Sequence, residues 1–405
     1  MSLQQPEFGA RLRELRVKLG LSQQQLAGEG LSAGYLSRLE SGARPPTARA
    51  IEYLSERLSV SPDTFKGTVV DPVAQAVTAA SATEDQARAV HLLETALATE
   101  SDGDDAAVRW QALRLLAEHH RQRGAGDLER DNLVRMVRLS DRFDVPEARA
   151  YSRLHLARCE RALGQMEKAH ETAREALAIT TEHDLPPGDR AGALMVLIST
   201  EVAVGDLAEA QAHAVELEEI ADRGGEVLHA EALWTAAHVN LRNSDYTGAA
   251  ERLDKALASL DSRTNPLLWL RLRLAAASLS LQMSPRRLEA AERCLAEAAP
   301  AIDLIGTPLH RQEHTLLTAQ LNFQRDDLDE SRRLLDSLDE QDLLLAYQDR
   351  LAWDVLRSQL RILGGERTQG IEGLRRLAEE AEGRANVDLS KEIWRALAET
   401  LARVQ

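Results

Sequence analysis

The chain has 405 residues, with 49 Lys plus Arg against 65 Asp plus Glu for a net charge of −16, and only 3% of it is aromatic. That length exceeds one ordinary domain and leaves room for a large core. So negative a balance excludes nucleic-acid binding by the chain as a whole, and confines any such contact to a locally basic segment.

Such a segment opens the chain. Residues 1–66 hold nine Lys plus Arg against seven Asp plus Glu, a net +2 that leaves −18 for the remainder. In GARLRELRVKLGL, Leu12, Leu15 and Leu19 fall on one helical stripe. Ser22 precedes an apolar-periodic run and has Gln25 three residues on, the pattern of a capping box. Leu26 and Ala27 are expected inward, Gly28 and Gly30 in a turn, and Leu31 against the core before Ser32 caps a second short helix. On that helix Leu36 and Leu39 face inward, which leaves Ser32, Ala33, Gly34, Ser37 and Arg38 outside. Gly42 ends it, Pro45 and Pro46 forbid continuation, and Thr47 caps ARAIEYLSERL with Ile51, Leu54 and Leu58 inward. Five short helices, ending near Phe65, are predicted to share one small core.

With LRELR, LSQQQLA, YLSRLESG and the proline pair in this order, residues 9–65 resemble a helix-turn-helix domain of the lambda-repressor/Cro type, the Xre-like family. The turn Gly28-Glu29-Gly30-Leu31 is one residue shorter than the commonest form, which implies a shifted entry angle. The resemblance implies that Gln23 holds a DNA phosphate and that Ser32, Ala33, Gly34 and Arg38 stand at base edges. A guanidinium can bond guanine O6 and N7 together, so Arg38 is the foremost reader, and Arg44 suits a phosphate. Arg16 and Glu40 occupy positions of a structural ion pair in the family. An excess of only +2 makes binding by one copy weak, so a homodimer on a near-palindromic double-stranded operator is expected.

The remainder carries a beat. GAGDLERD, LGQMEKA, VGDLAEA, NSDYTGA, SPRRLEAA and RDDLDES each join two helical stretches. Their last small or polar positions, Asp131, Ala169, Ala210, Ala249, Ala291 and Ser331, fall at intervals of 38, 41, 39, 42 and 40. Two helices per unit at this period mark a helical solenoid. The units resemble tetratricopeptide repeats, LGQMEKAHETAREAL most closely, with armadillo-like or HEAT-like pairs as the alternative. The expected fold class is therefore all-α: a small five-helix DNA-binding domain over residues 1–66, a linker over 67–83, and a right-handed α-solenoid over 84–405. Hairpins are predicted near 104–142, 147–183, 187–222, 226–261, 265–303, 307–339 and 342–381. A final helix, SKEIWRALAETLARV, has no successor and is expected to cap the array or contact a second copy.

A solenoid of this kind offers a concave groove to peptides or protein segments. A polar column in its first helices, Gln122, Glu160, Glu201, Asn240, Gln282 and Asn322, could contact a ligand, since amides bond both groups of an extended backbone. The same column could equally be a solvated row or a set of bonds tying helices together. Trp234 and Trp269 could line a pocket or belong to the core.

Other chemistry is not indicated. His310-Arg-Gln-Glu-His314 spells H-x-x-E-H, but no third ligand is announced and Arg311 crowds it. No phosphate loop, nucleophile elbow or catalytic carboxylate pair is present, so neither a metal, a cofactor nor an enzyme is expected. Cys159 and Cys294 read as buried thiols. There is no leader pattern at MSLQQPEFGARL, and the most apolar stretches are too short or too interrupted to span a bilayer, which predicts a cytoplasmic protein.

The order of parts resembles the bacterial RRNPP regulators, which implies a transcriptional regulator whose repeats sense a short signalling peptide. A protein-docking scaffold without a small ligand, and a solenoid that only dimerises the reader, are the alternatives.

Overall fold

The computed structural model describes residues 7–28, 30–65, 71–98 and 105–404. Residues 1–6 and 405 at the ends, Glu29 of the expected turn, residues 66–70 at the expected domain end and linker, and residue 104 of the first expected hairpin lie outside them. The described residues form twenty-one α-helices and no strand. The chain divides into two compact units, Met1–Gln75 and Ala76–Gln405.

In the first unit, α1 (Glu7–Lys18), α2 (Gln23–Leu26), α3 (Ala33–Glu40) and α4 (Ala48–Leu58) are followed by a 3-10 turn, Pro62–Phe65, in place of a fifth α-helix. Phe8, Leu12, Leu26, Leu36, Leu39, Leu54, Leu58 and Phe65 make the core. Phe8 and Phe65 close it with ring centroids 5.2 Å apart. Leu15 and Ile51 pack partly buried against it. Leu19 does not join them: α1 stops at Lys18, Gly20 turns the chain at φ +69°, and Leu19 is left 54% exposed.

Within the stretch expected as linker lies a helix, α5 (Pro72–Ala82). Asp71 Oδ1 accepts a bond from the Val73 amide at 2.8 Å, and Pro72 sits at the first helical position, where its missing N–H costs nothing. Val73, Ala76 and Ala80 are its buried side, while Ala79 and Ala82 lie exposed, so alanines on both faces hide the stripe from a sequence reading.

After α6 (Gln86–Leu97), seven hairpins follow: α7/α8 (Ala106–Gln122, Gly126–Ser140), α9/α10 (Pro146–Ala162, Met166–Glu182), α11/α12 (Pro187–Val204, Leu207–Ala221), α13/α14 (Glu226–Arg242, Tyr246–Ser259), α15/α16 (Pro266–Gln282, Leu288–Ile305), α17/α18 (Pro308–Gln324, Leu328–Asp336) and α19/α20 (Tyr347–Leu363, Arg367–Gly383). The last helix is α21 (Val387–Arg403). The beat has a packing cause. Ala169, Ala210, Ala249, Ala291 and Ser331 are fully buried where each second helix crosses its first, a contact that larger side chains would hold apart. Asp131 breaks the series: it is exposed, and pairs with Arg130 at 2.9 Å.

Consecutive first helices pack on one another, whereas consecutive second helices make little contact, so the first helices form the inner layer of the array. The C-terminal segment folds back on that array. Helix α21 packs on α19, α20 and also α11. Arg242 of α13 pairs with Asp388 at 2.9 Å and with Glu392, and Arg286 reaches Glu399 at 2.6 Å. Gly164, in the turn between α9 and α10, leaves room for the Tyr347 ring.

Candidate nucleic-acid interface and repeat groove

The helices of the first unit are started by local bonds that their sequence spells out. Ser22 Oγ accepts from the Gln25 amide at 3.2 Å, and the Ser22 amide donates to Gln25 Oε1 at 2.7 Å. Ser32 Oγ accepts from the Tyr35 amide at 3.2 Å and starts α3, and Thr47 Oγ1 accepts from the Ala50 amide at 3.2 Å and starts α4. Each satisfies an amide that a helix start otherwise leaves unpaired.

Leu36 and Leu39 seat α3 on the core at 0% exposure, which turns its other side out. Ser32, Gly34, Ser37 and Arg38 are exposed and Ala33 half-buried, on one continuous face. Arg38 Nε donates to the Gly34 carbonyl at 3.2 Å, which lays the side chain along α3. Arg44 is exposed in the following loop, its guanidinium 4.9 Å from the Tyr35 ring centroid. Gln23 is placed differently from a free phosphate donor: its Nε2 donates to Glu40 Oε2 at 2.8 Å.

That bond belongs to a network under α3. Arg16 donates to Glu40 through Nε at 2.6 Å and Nη2 at 3.0 Å, and to the Leu21 carbonyl through Nη1 at 2.8 Å. Burial works to raise the Glu40 pKa, but the bonds from Arg16 and Gln23 outweigh it and hold the carboxyl below its ordinary range. The turn before α3 is fixed from α4. Tyr53 donates its hydroxyl to the Ala27 carbonyl at 2.7 Å, and Arg57 Nη2 donates to Gln25 O at 2.9 Å. Gly28 takes φ +84°, and a Cβ at Gly30 would overlap the Tyr53 ring. The pairing of Tyr53 with Ala27 spans 26 residues, and no local pattern announces it.

In the repeats, the residues of the polar column bond within their own hairpins, and Gln282 also bonds the preceding one. Glu160 accepts from Thr172 Oγ1 at 2.9 Å, Glu201 bonds His213 Nδ1 at 2.9 Å, and Asn240 Nδ2 donates to Asp245 Oδ2 at 2.6 Å. Gln122 donates to Glu118 at 2.8 Å, Asn322 to the Thr318 carbonyl at 2.9 Å, and Gln282 bonds both Ser278 and Arg242. Trp234 packs partly buried on the core, and Trp269 lies under the Arg273 guanidinium at 3.4 Å. His310 Nδ1 accepts from the Thr307 amide at 3.1 Å while His314 Nε2 donates to the Leu295 carbonyl at 3.1 Å, so the two rings serve different partners. Burial pushes both thiols up, that of Cys294 to about 11, as inert core cysteines require.

Charged side chains of the inner layer were not singled out by the sequence. Arg158 and Arg161 of α9, Glu231 and His238 of α13, Arg271 of α15, Glu313 of α17 and Asp349 of α19 influence one another electrostatically. Desolvation lowers the pKa of Arg158 and Arg161, pushes Glu313 up to about 7 and Asp349 to about 6, and holds His238 at about 3. Arg158 and Arg271 nevertheless remain open to solvent, the condition of groove walls.

No helix among the described residues is long and apolar enough to cross a membrane. Residues 7–65 match the family described as a helix-turn-helix domain. No curated protein matches the sequence. Among solved structures, a Rap protein complexed with competence and sporulation factor is similar at 14% identity and a TM-score of 0.54, over 98% of this chain and 99% of its own. The Rap conjugation gene regulator of plasmid pLS20, in complex with the Phr* peptide, is similar at 14% identity and a TM-score of 0.56, over 96% and 97%. The apo form of RapI reaches 11% identity and a TM-score of 0.52 over 65% and 94%. The chain thus carries a helix-turn-helix domain over residues 7–65, and its helical hairpins share their fold with Rap proteins.

Proposed function

We propose that this protein is a sequence-specific transcriptional regulator that reads duplex DNA as a homodimer and whose repeats sense a short peptide. One observation carries the reading: the exposed face of α3, Ser32 to Arg38, held by a buried ion-pair network beneath it. A face so anchored is pre-organised for a major groove. Ser32, Ala33, Gly34, Ser37 and Arg38 meet base edges, and Arg44 and the backbone around Gln23 meet phosphates. The first helices supply the peptide's seat, and occupancy biases a two-state dimer between operator-competent and incompetent spacings. The fold shared with peptide-bound Rap structures supports a groove of suitable size.

Selection of random duplexes by the full-length chain tests the first part. Enrichment of a near-palindromic pair of half-sites is expected, and an unenriched pool would refute it. Capture of heptapeptides from a random library, followed by their effect on operator affinity, tests the second.

A further inference from the structure

Three charged residues occupy one register in consecutive first helices. Glu231, Arg271 and Glu313 are each the sixth residue of α13, α15 and α17. These helices pack side by side in the inner layer. Arg271 acts electrostatically on both glutamates, as a middle rung must. Yet the rungs do not neutralise one another: among the described residues, none of the three side chains makes an ion pair within 4.0 Å or a hydrogen bond. Neighbouring helix axes lie about 8–10 Å apart, too far for direct pairing between equivalent positions without long side chains leaning together. Arg271 is exposed and Glu231 and Glu313 are half-buried, so each charge is open to a ligand group of opposite sign.

We infer that the row Glu231, Arg271, Glu313 seats an extended peptide that presents basic, acidic and basic side chains at every third residue. The inference rests on the peptide-sensing reading above and specifies its ligand. The spacing selects the conformation. A polyproline II segment rises about 3.1 Å per residue with three residues per turn, so residues i, i+3 and i+6 share one side about 9 Å apart. That step matches one helix of the inner layer. A β-strand would place i and i+3 on opposite sides and could not address successive rungs.

The test uses the full chain and two synthetic heptapeptides, blocked at both ends, in calorimetric titration. One is Lys-Pro-Pro-Asp-Pro-Pro-Lys, the other its charge reversal Asp-Pro-Pro-Lys-Pro-Pro-Asp. The first is expected to bind at least tenfold more tightly. Arg271→Glu should invert the middle requirement, so that Lys-Pro-Pro-Lys-Pro-Pro-Lys outcompetes the original peptide. Arg271→Gln, a smaller change to the wall, should erase the discrimination without inverting it. Equal binding of the two peptides, or a preference untouched by Arg271→Glu, overturns the row as a seat. If random-library peptides bind but ignore Arg271→Glu, the row falls and peptide sensing stands. If neither the library nor the designed peptides bind, both fall.

Discussion

Arg16 and Glu40 stand 24 residues apart and form a two-pronged ion pair, at 2.6 and 3.0 Å, that fastens α1 to the last turn of α3. The carboxylate is nearly inaccessible, its side chain 4% exposed. Removing one partner of such a pair leaves a buried charge without compensation, at a cost of about 3–5 kcal/mol. Arg16→Ala should therefore unfold or loosen the DNA-binding unit, read as lost hydrogen-exchange protection in α1 and α3, with the repeats unchanged. Because the Glu40 pKa is depressed, the stability it lends is present at neutral pH and disappears as pH falls through its folded value. Wild-type protection in α3 should follow that acid limb, and protection in Arg16→Ala that matches wild type would remove the pair from this role.

Arg38→Ala separates reading from folding. Arg38 is exposed and its side chain bonds the Gly34 carbonyl of its own helix, so thermal stability should stay within about 0.5 kcal/mol. Affinity for the selected operator should drop by about 1–3 kcal/mol, with relaxed choice at one guanine. An unaltered binding profile would take Arg38 out of the interface.

Asn240 decides between scaffold and ligand contact for its column. Its amide bonds Asp245, whose other oxygen accepts from the Gly248 amide at 2.9 Å and caps α14. Asn240→Ala should cost the repeat unit about 1–2 kcal/mol, seen in tryptophan-monitored melting, and leave peptide affinity intact. A peptide-binding defect without a stability change would assign it to the groove instead.

Asp349 carries a pH signature. Burial raises its pKa to about 6. A carboxyl raised in the folded state contributes its stability in full below the unfolded value, near 3.9, and loses it as pH climbs to about 6. Asp349→Asn should thus match wild type near pH 4 and gain an advantage that grows to about pH 6 and then levels. A constant offset across that range would contradict the burial argument.

Gly164 fixes the docking of α19. It takes φ +74°, and a Cβ there would come within 2.6 Å of the Tyr347 ring. Gly164→Ala combines left-handed strain of about 1–2 kcal/mol with that overlap. Faster amide exchange in Tyr347–Leu363 than in wild type is expected, and identical exchange would show that the contact carries no weight.

The reader was legible because its determinants are local: Ser22 with Gln25, Ser32 with Tyr35 and Leu36 with Leu39 all lie within four residues. The hairpins were legible because a small residue recurs where two helices cross. What escaped depends on distant partners or on absent ones. The bond from Tyr53 to Ala27 needs the tertiary fold. Helix α5 hides behind alanines on both faces. The row of Glu231, Arg271 and Glu313 consists of ordinary helix charges in sequence, and only the structure reveals that they go unpaired. For the polar column the sequence leaves ligand contact, a solvated row and helix-tying bonds open, because it cannot tell an amide facing a groove from one bonded to the next turn.

In an open helical array each unit leans only on its neighbours, and stability accumulates link by link. The return of α21 to α11 and α13 joins residues 150 positions apart, Arg242 to Glu392, and makes that line into a loop. Damage to an early hairpin is then felt at the chain's far end, so the repeats should melt as one cooperative body rather than fray from a terminus.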